Sequence, residues 1–209
     1  MKKILLLLIT LFSFSFAATG CILVQPADIN VTWKAYKTLA KLGVGGQFTA
    51  VKYSPNKRKG KNFRELFVGS KVSIDISKIN TGNPARDKTL VKHFFHNLKG
   101  ETIEAKIINI KRTNKHVKGK PRTGTIDVKI TMNAKTLTIP MKYRYSEGHF
   151  QATGTIDLSD FDARYALASI NKSCYDLHKG KTWTDVSIGF STTVKATLCH
   201  VEIKKQETH

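Results

Sequence analysis

The sequence predicts an all-β fold: about eight antiparallel strands in an up-and-down barrel or sandwich, with two short helices. Three observations predict it. Apolar residues recur at every second position through long runs, turn-forming residues fill the short gaps between runs, and only two stretches have helical spacing. Period-two alternation sends one face of a strand into a core and the other into water, as antiparallel sheets buried on one face require.

Residues 1–17 are expected to be removed before folding. Lys2 and Lys3 precede an almost unbroken apolar run through residues 4–16, shorter than the roughly 20 residues a membrane span needs. Ser15 and Ala17 supply small residues at −3 and −1, which places cleavage after Ala17 and leaves 18–209 as one exported domain.

The strands follow in order. Residues 30–36, 47–53 and 102–111 are less regular strands. In 71–77, Val72, Ile74 and Ile76 share a face; in 125–132, Ile126, Val128, Ile130 and Met132 do. Leu137, Ile139, Met141, Tyr143 and Tyr145 continue the pattern, as do Phe150, Ala152, Gly154, Ile156 and Leu158. The last long strand carries Val186, Ile188, Phe190, Thr192, Val194, Ala196 and Leu198 in phase. Asn133-Ala134-Lys135 and Glu147-Gly148 read as tight hairpin connections. Gly43-Val44-Gly45-Gly46 reads as a turn. The helices are residues 84–95, where Pro84 suits a first turn and Leu90, Val91, Phe94 and Phe95 share a side, and residues 163–177.

Charge bears on partners. The formal charge is +20, and loss of Lys2 and Lys3 leaves +18, which favours anionic partners and says nothing about fold. The basic runs at 57–61 and 111–122 read as solvated loop tips, and an anionic membrane surface is a candidate partner for them. Export argues against nucleic acid, although charge with interleaved aromatics is compatible with it.

Three cysteines are an odd number for an oxidising compartment. A bridge between Cys174 and Cys199 would close a loop of about 25 residues, worth roughly 3 kcal/mol. Cys21 follows Gly20 as at a lipoprotein cleavage site, but Ala18 stands where an aliphatic residue is expected. Lipidation, a bridge and a free thiol all stay open for it, and an unmodified Ala18 is the expected mature N-terminus.

Catalytic constellations are absent: no phosphate loop, no nucleophile elbow and no carboxylate pair. His93 and His96 have helical spacing but lack further ligands beside Phe94 and Phe95, so no metal is expected. Asp157, Asp160 and Asp162 lack the glycine and glutamate of a calcium loop, and read as the end of a strand and a helix cap. No enzyme and no cofactor are predicted.

From Ile74 the chain reads IDISKINTGNPARDKTLVKHFF. Thr81, Gly82, Asn83, Arg86, Asp87 and Leu90, with Phe94 and Phe95 beyond, resemble the signature of the YceI-like family. The likeness extends to Trp33, to Gly45-Gly46-Gln47-Phe48, to the paired strands within 125–145 and to the strand after Trp183. It implies an extended antiparallel, lipocalin-like barrel that holds a polyisoprenoid or similar amphiphile in the periplasm without catalysis, often as a homodimer. The signature itself reads as structural, with Gly82 and Asn83 in a turn and Arg86 paired to Asp87 or a strand carboxylate. Two departures stand out: 132–136 replaces a GxT segment, and Phe161-Asp162 replaces Phe-Gly before an added helix.

The expected function is therefore to hold a long-chain isoprenoid or fatty-acid derivative inside a barrel, as carrier, store or sensor. The alternative is a basic envelope protein that sits on anionic lipid without internal cargo. The expected lining is Trp33, Phe48, Ile74, Ile76, Ile126, Val128, Ile130, Ile139, Tyr143, Ile156, Ile188 and Phe190, with Phe94 and Phe95 guarding one end.

Overall fold

The computed structural model describes residues 22–197 except 116 and 118. The predicted signal peptide, its cleavage site, Cys21, Leu198 and Cys199 lie outside the described residues. The proposed Cys174–Cys199 bridge therefore has only one described end, and Cys174 is a half-buried free thiol there.

Thirteen strands are described where about eight were expected. They are β1 (Ile22–Val24), β2 (Asn30–Lys37), β3 (Leu42–Phe48), β4 (Val51–Ser54), β5 (Lys59–Gly60), β6 (Lys71–Asp75) and β7 (Ile79–Asn80). Then come β8 (Thr102–Arg112), β9 (Arg122–Met132), β10 (Lys135–Ser146), β11 (His149–Asp157), β12 (Asp185–Thr193) and β13 (Lys195–Thr197). Helices α1 (Phe63–Phe67), α2 (Pro84–His93), α3 (Arg164–Ser173) and α4 (Tyr175–His178) accompany them, with a 3-10 turn at Phe95–Asn97.

The strand ladder accounts for the difference. Ten strands form one antiparallel sheet in the order β4-β6-β8-β9-β10-β11-β12-β2-β3-β7. Its two ends are made by two bent strands. β3 runs into β4 across Thr49 and Ala50, and β6 runs into β7, so the bent pair bonds to itself throughout. Phe48 pairs with Ile79, Thr49 N–H donates to Lys78 O at 2.8 Å, Asp75 N–H donates to Ala50 O at 3.1 Å, and Val51 pairs with Ile74. The sheet thus returns to its start as eight chain paths, which removes open edges.

The bend in β6–β7 has a local cause. Asp75 Oδ1 accepts from Ser77 N–H at 2.8 Å and from Ser77 Oγ at 2.6 Å, an Asx-type turn that breaks the strand. Those same bonds hold the Asp75 carboxyl below its ordinary pKa. A second irregularity, a bulge at Ile108 in β8, turns that isoleucine outward.

Hairpins and helices refine the sequence reading. Asn133 and Ala134 have φ of 52° and 61°, and Glu147 and Gly148 have 53° and 80°, the left-handed pair that two-residue hairpins need. Gly43–Gly46, read as a turn, is instead part of β3 and pairs with β2 from Tyr36 to Trp33. A five-residue helix, α1, was not foreseen. It carries a capping-box pattern, because Asn62 Oδ1 accepts from Glu65 N–H at 2.9 Å while Glu65 Oε2 accepts from Lys61 N–H at 3.0 Å. The expected helix over 163–177 is broken at Cys174 into α3 and α4. Its cap is Ala163, without a side-chain bond, so the aspartates do not cap it. Asp162 instead takes φ of 54° and pairs with Lys135 at 3.0 Å.

The two ends of the barrel differ. At one end α1 and the small sheet β13-β1-β5 cover the opening. Phe63, Phe67, Tyr143, Tyr145 and Phe150 form an aromatic plug there, with ring centroids 4.6 to 6.1 Å apart. Gln25, fully buried under the small sheet, accepts from Tyr53 OH at 2.9 Å and donates to Thr192 Oγ1 at 3.2 Å. Part of the basic run at 57–61 is strand β5, and Arg58 pairs with Asp28 at 2.6 Å, so the run is not a free loop tip. At the other end lie α2, α3, α4 and the β2–β3 turn.

Candidate functional site: an apolar cavity open toward the helices

Inward alternation along β2, β8, β9 and β12 builds the walls of a single large cavity of about 580 Å³, within the range of about 300–1,000 Å³ typical of small-molecule sites. Phe190, stacked on Phe150 of the plug, marks its floor. Its rim is made by Asn83, Ala85 and Arg86 at the start of α2, by Leu177 and His178 of α4, and by Tyr36, Lys37, Thr182 and Trp183.

Of the residues expected to line it, Trp33, Phe48, Ile74, Phe94, Phe95, Val128, Ile130, Ile156, Ile188 and Phe190 do so. Ile76, Ile126, Ile139 and Tyr143 do not. All four are buried in the surrounding core, and Tyr143 belongs to the aromatic plug, where burial pushes its phenol pKa up. Period-two patterning marks the inward face but not the depth at which the plug begins.

Several lining residues escaped the sequence reading. Val31 and Ala35 extend the Trp33 face of β2, and Ile103, Ala105 and Ile107 extend β8. The same alternation was available to find them. Leu167, Ile170, Cys174 and Leu177 come from the added helical segment; helical spacing groups Ile170, Cys174 and Leu177 with Tyr165 and Ala168, but those last two are exposed.

The signature around Thr81 is a scaffold. Asp87 Oδ1 accepts from Thr81 N–H at 3.0 Å and Thr81 Oγ1 at 2.6 Å, Asn83 Oδ1 accepts from Arg86 N–H at 3.0 Å, and Gly82 has φ of 75°. Asp87 is thus occupied by Thr81, and among the described residues Arg86 makes no ion pair. The expected pairing of Arg86 with Asp87 or a strand carboxylate is not found. Its side chain lines the cavity instead.

Polar groups at the rim are mostly engaged. Tyr36 OH lies 2.8 Å from Ser187 Oγ, and Trp183 Nε1–H donates to Thr38 O at 2.7 Å. Thr182 donates its hydroxyl to Asn171 Oδ1 at 2.8 Å, so His178 Nδ1–H, also at 2.8 Å, must donate to Thr182 Oγ1. Burial and the nearby Lys37 charge lower the His178 pKa. No Asp or Glu lines the cavity, and among the described residues no cluster of three metal-ligating side chains occurs.

An eight-path barrel, plugged at one end and hollow toward the other with an apolar wall, belongs to the class of small barrels with room inside for one ligand. The YceI-like domain model matches residues 23–195, and the chain belongs to the YceI-like family. Solved structures share the fold at low identity. A polyisoprenoid-binding domain from Saccharophagus degradans, implicated in plant cell wall breakdown, is 12% identical with a TM-score of 0.56. The match covers 86% of this chain and 99% of that one. BcnA of Burkholderia cenocepacia is 14% identical with a TM-score of 0.53, over 82% of this chain and 99% of its own. A variant YceI protein of Campylobacter jejuni is 16% identical with a TM-score of 0.50, over 76% and 86%. Comparison with curated proteins gives no match.

Proposed function

We propose that this protein holds the chain of a long amphiphile, an isoprenoid or fatty-acyl derivative, inside the barrel as a carrier, store or sensor and without catalysis. The cavity carries the reading: about 580 Å³, walled by aliphatic and aromatic side chains and closed at its floor. Burial of a chain there contributes roughly 0.8 kcal/mol per CH₂, so a dozen carbons suffice for tight retention. The polyisoprenoid-binding relative supports the ligand class. Export to the periplasm belongs to the proposal on the strength of residues 1–17, as does a homodimer on the strength of the family, which native mass measurement tests.

The test is titration of delipidated protein with palmitate and with a polyprenol, beside Val128→Trp. Val128 lies in the cavity wall, so the variant should fold and lose binding. Wild-type protein that takes up neither probe contradicts the reading.

A second reading concerns an anionic membrane, and the open end favours it. Leu39 is 81% exposed and Leu177 68% exposed, beside Tyr175, and Lys37, Lys41, Lys179 and Lys181 lie in the same segments. Adsorption expected of the basic runs at 57–61 and 111–122 would turn the plugged end to the lipid, because β5 carries part of the first run there and Arg122, at the end of the second, lies over the Phe63 and Tyr145 rings of the plug. Leu39→Glu with Leu177→Glu should abolish salt-sensitive binding to vesicles of anionic phospholipid. Undiminished binding contradicts this orientation.

A further inference from the structure

Two hydrogen-bond donors in the cavity wall are buried and unpartnered: Trp33 Nε1 and Arg86 Nε. Leaving such donors unsatisfied is costly, and native structures leave few. Both groups only donate.

They belong to the same corner of the cavity. Gly46 lies against the edge of the Trp33 ring, such that a Cβ there would be 2.6 Å from Cζ2 and 2.9 Å from Cε2, the carbon that bears Nε1. The same Cβ would lie 3.0 Å from the Thr81 methyl. Thr81 in turn anchors Asp87, the residue after Arg86, through two hydrogen bonds. The indole edge thus meets the turn from which Arg86 enters the wall.

Charge around the corner has one sign. Arg86 and Lys37 line the cavity at its rim, and the lining contains no carboxylate. Arg86 is half-buried, and its Nε–H is shut away from water without a partner, so an anionic oxygen in the cavity would complete it.

We propose that Arg86 and Trp33 form a head-group site, in which Arg86 Nε–H and Trp33 Nε1–H donate to the oxygens of a carboxylate or phosphate carried by the amphiphile. The inference rests on the cavity holding a long chain, and it selects acidic amphiphiles over neutral ones of equal length. The chain is held by burial and the head by two donors near the rim.

The experiment measures binding of palmitate, hexadecanol and inorganic phosphate to delipidated wild type, Arg86→Gln and Trp33→Phe, with circular dichroism on each variant to confirm folding. Wild type should bind palmitate about tenfold to a hundredfold more tightly than hexadecanol. Arg86→Gln should erase most of that preference, bringing the palmitate and hexadecanol affinities close together. Trp33→Phe, which keeps an aromatic ring but loses the donor with part of the indole's bulk, should reduce it in the same direction. Inorganic phosphate should neither bind nor displace palmitate, because the site needs the buried chain. Equal palmitate preference in wild type and Arg86→Gln overturns the head-group site while leaving the cargo reading intact. Phosphate that binds alone and is lost in Arg86→Gln overturns it in favour of a free-anion site. Failure of both long-chain probes overturns the cargo reading and the head-group site with it.

Discussion

Gly46 and Trp33 face each other across β3 and β2 with no room for a single further carbon: a Cβ at position 46 would sit 2.6 Å from the indole Cζ2. The glycine is therefore a packing requirement of the ring. Gly46→Ala should destabilise the protein by about 1–3 kcal/mol, because Trp33 must leave its place. Gly45→Ala points the other way and meets only Trp33 O at 3.6 Å, so its effect should stay within about 0.5 kcal/mol. Urea unfolding of the two variants checks the contrast, and equal losses would contradict it.

The aromatic plug makes a second prediction. Phe150 is fully buried and touches Phe63, Phe67, Tyr143 and Phe190. Phe150→Ala should cost about 3–5 kcal/mol. Phe94→Ala, half-buried at the open end, should cost clearly less, because the space it leaves joins an existing cavity. Thermal unfolding of both variants measures the difference.

Much of this fold was legible in the sequence, for identifiable physical reasons. The faces of 125–132 and 186–194 could be read because one side must be buried, and the Asn133-Ala134 and Glu147-Gly148 turns because their lengths admit few geometries. Gly43–Gly46 was misread because glycine composition does not distinguish a turn from a strand pressed against an indole. Helix α1 is too short for periodicity to reveal, although its capping pattern was present in Asn62 and Glu65. The cavity wall was half legible, since alternation tells inward from outward but not hollow from plugged. The orientation of Arg86 was not legible at all: it depends on Thr81 having occupied Asp87.

The Asn133-Ala134 turn separates backbone from side-chain roles. Ala134 bears a left-handed φ of 61°, so Ala134→Gly should stabilise by about 1 kcal/mol. Asn133 is buried, accepts from Lys99 N–H at 2.7 Å and donates to Phe161 O at 2.7 Å. Asn133→Gly keeps the allowed φ and loses both bonds, so it should destabilise by about 1–3 kcal/mol. Denaturant midpoints of opposite shift are the expected outcome.

His178 predicts a pH dependence. Its pKa in the fold lies below the ordinary 6.5, from burial first and from Lys37 second. The unfolded chain therefore takes up the proton first as pH falls, and stability is lost from about 6.5 down through the folded pKa. The contribution is fully present above 6.5. His178→Asn should flatten this part of the stability–pH curve, measured by urea midpoints at successive pH values. A wild-type midpoint that rises as pH falls from 7 toward 5 would contradict the assignment, and so would an unchanged slope in the variant.

The proposed role as a container can be read directly from what the native protein carries. Protein purified from its native cells without added lipid should, on organic extraction and mass spectrometry, release a long-chain species at close to one per chain, and Val128→Trp purified alongside should release little. A folded wild-type protein that yields no long-chain species, from cells that make such lipids, would contradict it.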